Sequence, residues 1–331
     1  MSDIDLLLSV VIPTHKRPQF LARAIRSAIE SVPDGRVEVL VVPNGPDESW
    51  KSVADEFAAD SRVKWHPIED AHANVARNHG LTLAQGKYVR FLDDDDFLFP
   101  GAAARQLEAI ESKGADIASG NVTLLNANGD PFEEWSQPDT DDFCAATLGP
   151  DRKCIPLAHV YRRFALGENR WDPGVHVRQD VDWQLALCAR SDWIWVKTGK
   201  SVGAWQHHWS DRVSTSRSYD RIRQATVPML LQTQTELTAN NRLGPARRRA
   251  VADGLWALVH SAFFLSPLYW SAVARIALQM DPAARPRAAI FGWPVVRRIP
   301  PCLTEWLLVP LRYAKHQIRV LLRRLHIRHY W

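Results

Sequence analysis

From the start of the chain to about position 125, short β-branched runs alternate with longer stretches of good helix formers, the pattern of a parallel sheet covered by helices. Segments 6–13, 37–42, 63–66, 88–92 and 116–122 read as strands, and 18–30, 49–59, 71–84 and 101–112 as helices. Pro18 and Gly101 stand where helix starts tolerate them. The periodicity then lapses: 126–175 is irregular, with Asn128-Gly129-Asp130-Pro131 and Asp172-Pro173-Gly174 as turn signals. Loops of that length usually carry function. Regular pattern returns with a helix over 180–190, a strand over 193–196 and a polar stretch over 207–223. Beyond Asn241 the chain reads as mostly helical, broken at Pro267, Pro286, Pro294 and Pro300-Pro301, with no internal repeat.

Of 331 residues, 46% are apolar and 24% charged, enough to fold around a core and too apolar for a disordered chain. The net charge of +4 hides an asymmetry: residues 242–331 hold 15 Lys and Arg against 3 acids, leaving the front of the chain acidic. Two domains follow as an expectation, 1–241 and a basic helical extension 242–331. The tail's arginines are interleaved with Trp, Leu, Ile and Pro rather than Gly or Ser, which argues against nucleic acid. Over 311–331, Leu311, Ile318, Leu321, Leu322 and Leu325 fall near one helical stripe among Arg312, Lys315, Arg319, Arg323 and Arg324, with Tyr330 and Trp331 at the end. Such a helix suits an anionic membrane surface; the plainer alternative is a helix packed on the front domain. The uncharged run 254–274 contains Pro267 and many small residues, so a spanning helix is the minor reading. Cys144, Cys154, Cys188 and Cys302 form no CxxC pair, and the first residues lack a basic flank and cleavage site, so a reducing cytoplasmic setting is expected.

The strongest chemical signal is Asp93-Asp94-Asp95-Asp96, directly after an apolar strand and directly before Phe97-Leu98-Phe99. Four carboxylates at a strand end repel one another unless a cation compensates, and Mg²⁺ or Mn²⁺ takes such oxygen ligands together with substrate phosphates. Open α/β sheets bind ligands at strand ends, which favours this over a solvated acidic loop. Upstream, Arg77 is either a surface cation or a fixed charge facing a diphosphate or the acidic loop.

The run from Asn74 to Pro100 resembles the stretch shared by family 2 glycosyltransferases: Ala76-Arg77-Asn78-His79-Gly80, then Ala84-Gln85-Gly86-Lys87-Tyr88, then a strand ending in the acidic motif. Pro13-Thr14-His15-Lys16-Arg17 is similar to that family's opening turn, with Lys16 where Asn is usual. The similarity extends over roughly residues 6–215. It implies a GT-A fold in which Pro13, Thr14, Arg17, Asn44, Arg77, Asp93 and Asp94 address the nucleotide sugar and Asp95 is the main metal ligand, supported by Asp94 or Asp96. Asn44 departs from the family, which commonly carries an acid there to accept a hydrogen bond from the base.

Arg178-Gln179-Asp180-Val181-Asp182 reads on its own as a helix start with an acidic N-cap. The resemblance makes Asp180 the general base, with Gln179 in place of the family's Glu and Asp182 as runner-up. The segment 207–214 resembles the family's late His-containing element, which makes His208 a second metal ligand; plain surface histidines are the alternative. The implied activity is a single displacement that passes a sugar from a nucleotide diphosphate to a hydroxyl of a glycan or lipid-linked glycan, with inversion, in cell-surface polysaccharide synthesis. It would take place in the cytoplasm or peripherally at the inner membrane face. A nicotinamide enzyme would want glycines between Pro13 and Pro18, and a nucleotidyltransferase a glycine-rich basic loop there; neither is present. A non-catalytic scaffold on the same fold is the other reading, with Asn44 and Gln179 in its favour.

Overall fold

The computed structural model describes residues 7–206 and 219–324, with side chains as far as Ile318. It divides into two compact units, the first running to Arg212 apart from Leu148–Pro150.

The first unit is a mixed sheet between helices. In chain order it comprises β1 (Leu8–Thr14), α1 (Pro18–Glu30), β2 (Val37–Pro43), α2 (Lys51–Glu56), β3 (Val63–Trp65), α3 (Ala73–Leu83), β4 (Tyr88–Phe91), β5 (Phe97–Leu98) and α4 (Ala102–Lys113). It continues with β6 (Ile117–Leu125), β7 (Pro131–Trp135), α5 (Phe143–Leu148), β8 (His159–Arg162), α6 (Arg163–Leu166), α7 (Gln179–Arg190) and β9 (Trp195–Gln206). The strand order is β3-β2-β1-β4-β8-β6-β9-β5, with β7 on β6. The β3-β2-β1-β4 half is parallel, as is β6 with β9; the other pairings are antiparallel.

Every residue of β1 and β2 is buried, as expected of strands covered on both faces. Pro18 opens α1, which turns Leu21, Ala24, Ile25 and Ala28 to the core. Gly114, with φ 59°, closes α4 in the left-handed conformation that lets a helix end in a tight turn. Gly80 serves a different need: a Cβ there would stand 2.4 Å from Val11 Cγ1, so α3 can lie this close to β1 only without a side chain.

The expected front-half elements are present with small boundary shifts. The irregular reading of 126–175 is corrected: β7, α5, β8 and α6 lie there. β8 is four residues long and polar at His159 and Arg162, so its strand character comes from pairing with β4 and β6 rather than from its own pattern. The strand expected over 193–196 continues to Gln206, following β6 through two register shifts between Lys197 and Ala204.

The second unit contains α8 (Tyr219–Ala239), α9 (Pro245–Ala262), α10 (Pro267–Met280) and α11 (Pro301–Arg324). α8 begins inside the stretch expected to be merely polar and carries Pro228 within it, and α11 runs through Pro310. α9 buries Val251, Leu255, Trp256 and Val259, and α10 buries Trp270, Ala274 and Ala277. Asp253 accepts from Arg249 at 2.9 Å and from Arg287 at 3.1 Å. Among the described residues, no helix is long and apolar enough to cross a membrane.

Candidate active site

Because β1, β2 and β4 run parallel, their C-terminal ends reach the same edge of the sheet. The order reverses between β1 and β4, the switch point at which open α/β sheets hold ligands. Pro13 and Thr14 end β1, with Pro13 in register with Val42. Asn44 follows β2 directly, and the four aspartates follow β4.

Thr14 bridges the switch point: its Oγ1 donates to Asp94 Oδ2 at 2.7 Å. Arg17 Nη1 approaches Asp95 Oδ2 at 2.9 Å and Asp94 Oδ1 at 3.4 Å. Burial pushes the Asp94 carboxyl up to about 7, and the neighbouring Asp95 adds to this against the opposing pull of Arg17 and Thr14. The Arg17 guanidinium is held above its usual range: burial would lower it, but Asp94, Asp95 and Asp93 together outweigh that. The acidic motif is thus crowded with negative charge and faces a built-in cation.

Asn44 is buried, and its amide donates to Thr14 O at 2.9 Å. The main-chain carbonyl oxygen of Asn44 meets His15 Nδ1 at 2.6 Å. Here Asn44 fastens the β1 and β2 turns together.

Helix α3 connects this motif with the segment before α7. Arg77, almost wholly buried, donates through Nη2 to Asp93 Oδ1 at 2.7 Å and through Nη1 to Gln179 Oε1 at 3.0 Å, and its guanidinium lies 4.5 Å from the centre of the Trp171 ring. Asn74 Nδ2 donates to Asp172 O at 2.7 Å. Asn78 and Trp171 exchange two bonds, each of 2.8 Å. His72 Nε2 and His176 Nδ1 are 3.1 Å apart. His72 Nδ1 accepts from Asn74 N, so in the neutral ring Nε2 carries the proton and donates to His176. His72, Asn74, Arg77 and Asn78 thus each address either the acidic motif or the segment 171–179.

Asp180 lies in the first turn of α7, half-buried, two residues after Arg178, which holds a left-handed φ of 59°. Gln179, where the resemblance implies Glu, accepts from Arg77 and donates to Val175 O at 3.1 Å, a role a carboxylate could share only in part. Asp182, two residues beyond Asp180, is pushed up to about 6 by burial and then by Asp172.

Arg23 was not among the expected residues. Its Nη2 donates to Asp95 O at 2.9 Å, its Nη1 to Gln206 at the end of β9, and its guanidinium lies 4.4 Å from the centre of the Phe97 ring. The first partner is a main-chain carbonyl, which leaves no mark in the sequence. His208 lies outside the described residues. Among the described residues, no three His, Cys, Asp or Glu side chains form a group able to hold a metal alone.

Residues 9–172 match the family described as Glycosyl transferase family 2. The chain carries a family 2 glycosyltransferase domain of GT-A fold. This family 2 chain is 26% identical over 144 residues to Glycosyltransferase GlyG of Streptococcus pneumoniae, a match covering 43% of this chain and 47% of that protein. It is 32% identical over 132 residues to the GalNAc(5)-diNAcBac-PP-undecaprenol beta-1,3-glucosyltransferase of Campylobacter jejuni, covering 39% of this chain and 42% of that one. The match thus spans less than half the length of these two relatives. In structure, TarS of S. aureus, solved with UDP-GlcNAc, aligns with a TM-score of 0.62 at 15% identity, covering 82% of this chain and 79% of that one. The mannosyltransferase PcManGT of Pyrobaculum calidifontis, solved with GDP-Man and Mn2+, aligns at 0.52 and 13% identity, covering 92% of this chain and 86% of that one.

Proposed function

We propose that the family 2 domain transfers a sugar from a nucleotide diphosphate sugar to a hydroxyl of a glycan or lipid-linked glycan, inverting the anomeric carbon. The observation that carries this reading is the Arg77 fork, which holds the acidic motif and the base segment in one rigid arrangement. Donor and acceptor groups must be fixed together for a single displacement, and positioning supplies much of the rate. Asp180 takes the acceptor proton as the oxygen attacks C1. Thr14, Arg17 and Asn44 frame the nucleotide end, with Pro13 as the close backbone edge, and Asp93 and Asp94 face the ribose and sugar.

The donor set fits Mg²⁺ or Mn²⁺: hard carboxylate oxygens, with no group of three such side chains among the described residues, so that substrate phosphates would complete the shell. Asp95 would hold the ion, with His208 as a further ligand, and the ion would supply charge neutralisation for the departing diphosphate. Support comes from relatives whose names describe glycosyl transfer and from a structural neighbour solved with Mn2+. A role in cell-surface polysaccharide synthesis, and a cytoplasmic place at the inner membrane face, follow from a lipid-linked acceptor and are part of the same proposal.

The engaged Asn44 amide and the neutral Gln179 favour a second reading, a sugar-nucleotide-binding scaffold. Incubation with UDP-, GDP- and dTDP-sugars, with Mn²⁺, Mg²⁺ or chelator, separates the two. Metal-dependent release of nucleoside diphosphate supports transfer; binding without release from any donor supports the scaffold.

A further inference from the structure

α11 turns a broad apolar face outward. Around its axis, over 303–318, Tyr313, Trp306, Pro310, Leu303, Ala314, Leu307, Ile318 and Leu311 occupy one continuous arc of roughly 160°, in which the one polar residue is Gln317. All of these are exposed, Leu307 at 64%, Leu311 at 70% and Ile318 at 57%. The opposite side, where Pro301, Thr304 and Glu305 are buried, carries Arg312 and His316 beside half-buried Leu308 and Val309. Glu305, at 0% exposure, accepts from His260 Nδ1 at 2.5 Å and Arg312 Nη1 at 3.0 Å, and Arg312 and His316 lie against the Phe264 ring. A surface helix normally turns its apolar stripe to the core. Here the unit satisfies a buried ion network and leaves the stripe outward, and contiguous exposed apolar surface of this kind marks a contact face.

The surrounding charge identifies what the face meets. Just before α11, exposed Trp293 and Val295 stand beside exposed Arg297 and Arg298, and Lys315 borders the arc. From residue 282 onward the sequence holds ten Lys and Arg and one acid, and that acid is the buried Glu305. A second copy of this face would bring like charges together. Exposed Trp and Tyr at the edge of an apolar stripe, flanked by cations, match the headgroup boundary of an anionic bilayer. Since no described helix can span, the helix would lie in the plane of the interface. We propose that the outward face of α11 is a docking surface for an anionic membrane, with Leu303, Leu307, Leu311 and Ile318 entering the acyl boundary and Arg297, Arg298 and Lys315 meeting the headgroups. This gives a residue-level basis to the membrane location proposed above, while standing on the polarity of α11 rather than on catalysis.

The test uses the full chain with vesicles of phosphatidylcholine containing graded phosphatidylglycerol, read by co-sedimentation at low and high salt. Two variants accompany it, L307Q/L311Q/I318Q and R297E/R298E/K315E, whose side chains are exposed or border the arc and lie outside the transfer site. The expected results are recruitment that rises with anionic lipid and fades with salt, a loss of at least tenfold in the glutamine variant, and loss of lipid-charge preference in the glutamate variant. No vesicle binding, binding unchanged in the glutamine variant, or a dimer in ultracentrifugation that only this variant dissociates would overturn the proposal. Release of nucleoside diphosphate is measured on the same samples: docking without release sinks only the transferase reading, and release without docking sinks only this one.

Discussion

Arg77 and Asp93 are joined at 2.7 Å by one arm of a guanidinium whose other arm is already committed to Gln179. A lysine carries the charge but cannot span both partners from one planar fork. Arg77→Lys is therefore expected to lower turnover at least tenfold while donor binding changes less, and Arg77→Ala to reduce folding stability by about 1.5–3 kcal/mol, the usual range for hydrogen bonds to charged groups. Urea unfolding together with kcat and KM for both variants checks this; wild-type turnover in Arg77→Lys would show that the fork is dispensable.

The base can be assigned by comparing two neighbours. Asp180→Asn is expected to lower transfer by roughly 10²- to 10⁴-fold with donor affinity retained, and Asp182→Asn by less than about tenfold. Asp182 is pushed up to about 6 and so stays protonated in the folded protein below that pH. If Asp182 were the base, rate would fall on acidification through about 6 and its Asn variant would show the large loss.

Asp95→Ala removes the proposed ion ligand while leaving Arg17 its second partner, Asp94, at 3.4 Å. Donor affinity in the variant should no longer respond to Mn²⁺ by calorimetry, whereas the native chain should lose affinity on chelation. An unchanged Mn²⁺ response would take Asp95 out of the ion site.

Glu38 is a buried acid remote from the chemistry, and it ties the sheet together. It accepts from Ser9 Oγ at 2.6 Å, Lys64 Nζ at 2.7 Å and Gln85 N at 2.7 Å. Burial alone would raise its pKa, but these three donors outweigh it and hold the group below its usual value. A depressed folded pKa gives stability that is fully present above the unfolded value of about 4.3 and is lost as pH falls through the folded one. Glu38→Gln should flatten that acid limb of the thermal stability curve and lower the melting temperature at neutral pH. An acid limb identical to wild type would contradict the assignment.

The acidic motif and the Arg77 element were legible because each is a short contiguous pattern beside a strong strand, and the order of such patterns fixes where they fall on a parallel sheet. The Arg77 to Gln179 bond joins residues 102 positions apart, and no local spacing announces it. β8 was missed because four residues with His159 and Arg162 among them have too little pattern to register. α11 is the clearest limit. Leu311 and Ile318 mark a stripe in the sequence, but periodicity says only that a helix has two faces, and Glu305 had to be placed in three dimensions before the covered one was known.

Trp171 and Trp183 stack with their rings 4.8 Å apart and 4° from parallel, with Phe91 edge-on to both and Arg77 over the Trp171 indole. Two indoles so aligned behave as one coupled chromophore, whose circular dichroism depends on their separation and on the charge lying over them. That charge is shared between the acidic motif and the base segment, so the pair is an optical probe built beneath the site. Its near-ultraviolet signal should change when a nucleotide sugar is added and should vanish in Trp183→Phe, allowing occupancy to be followed without a label on either substrate.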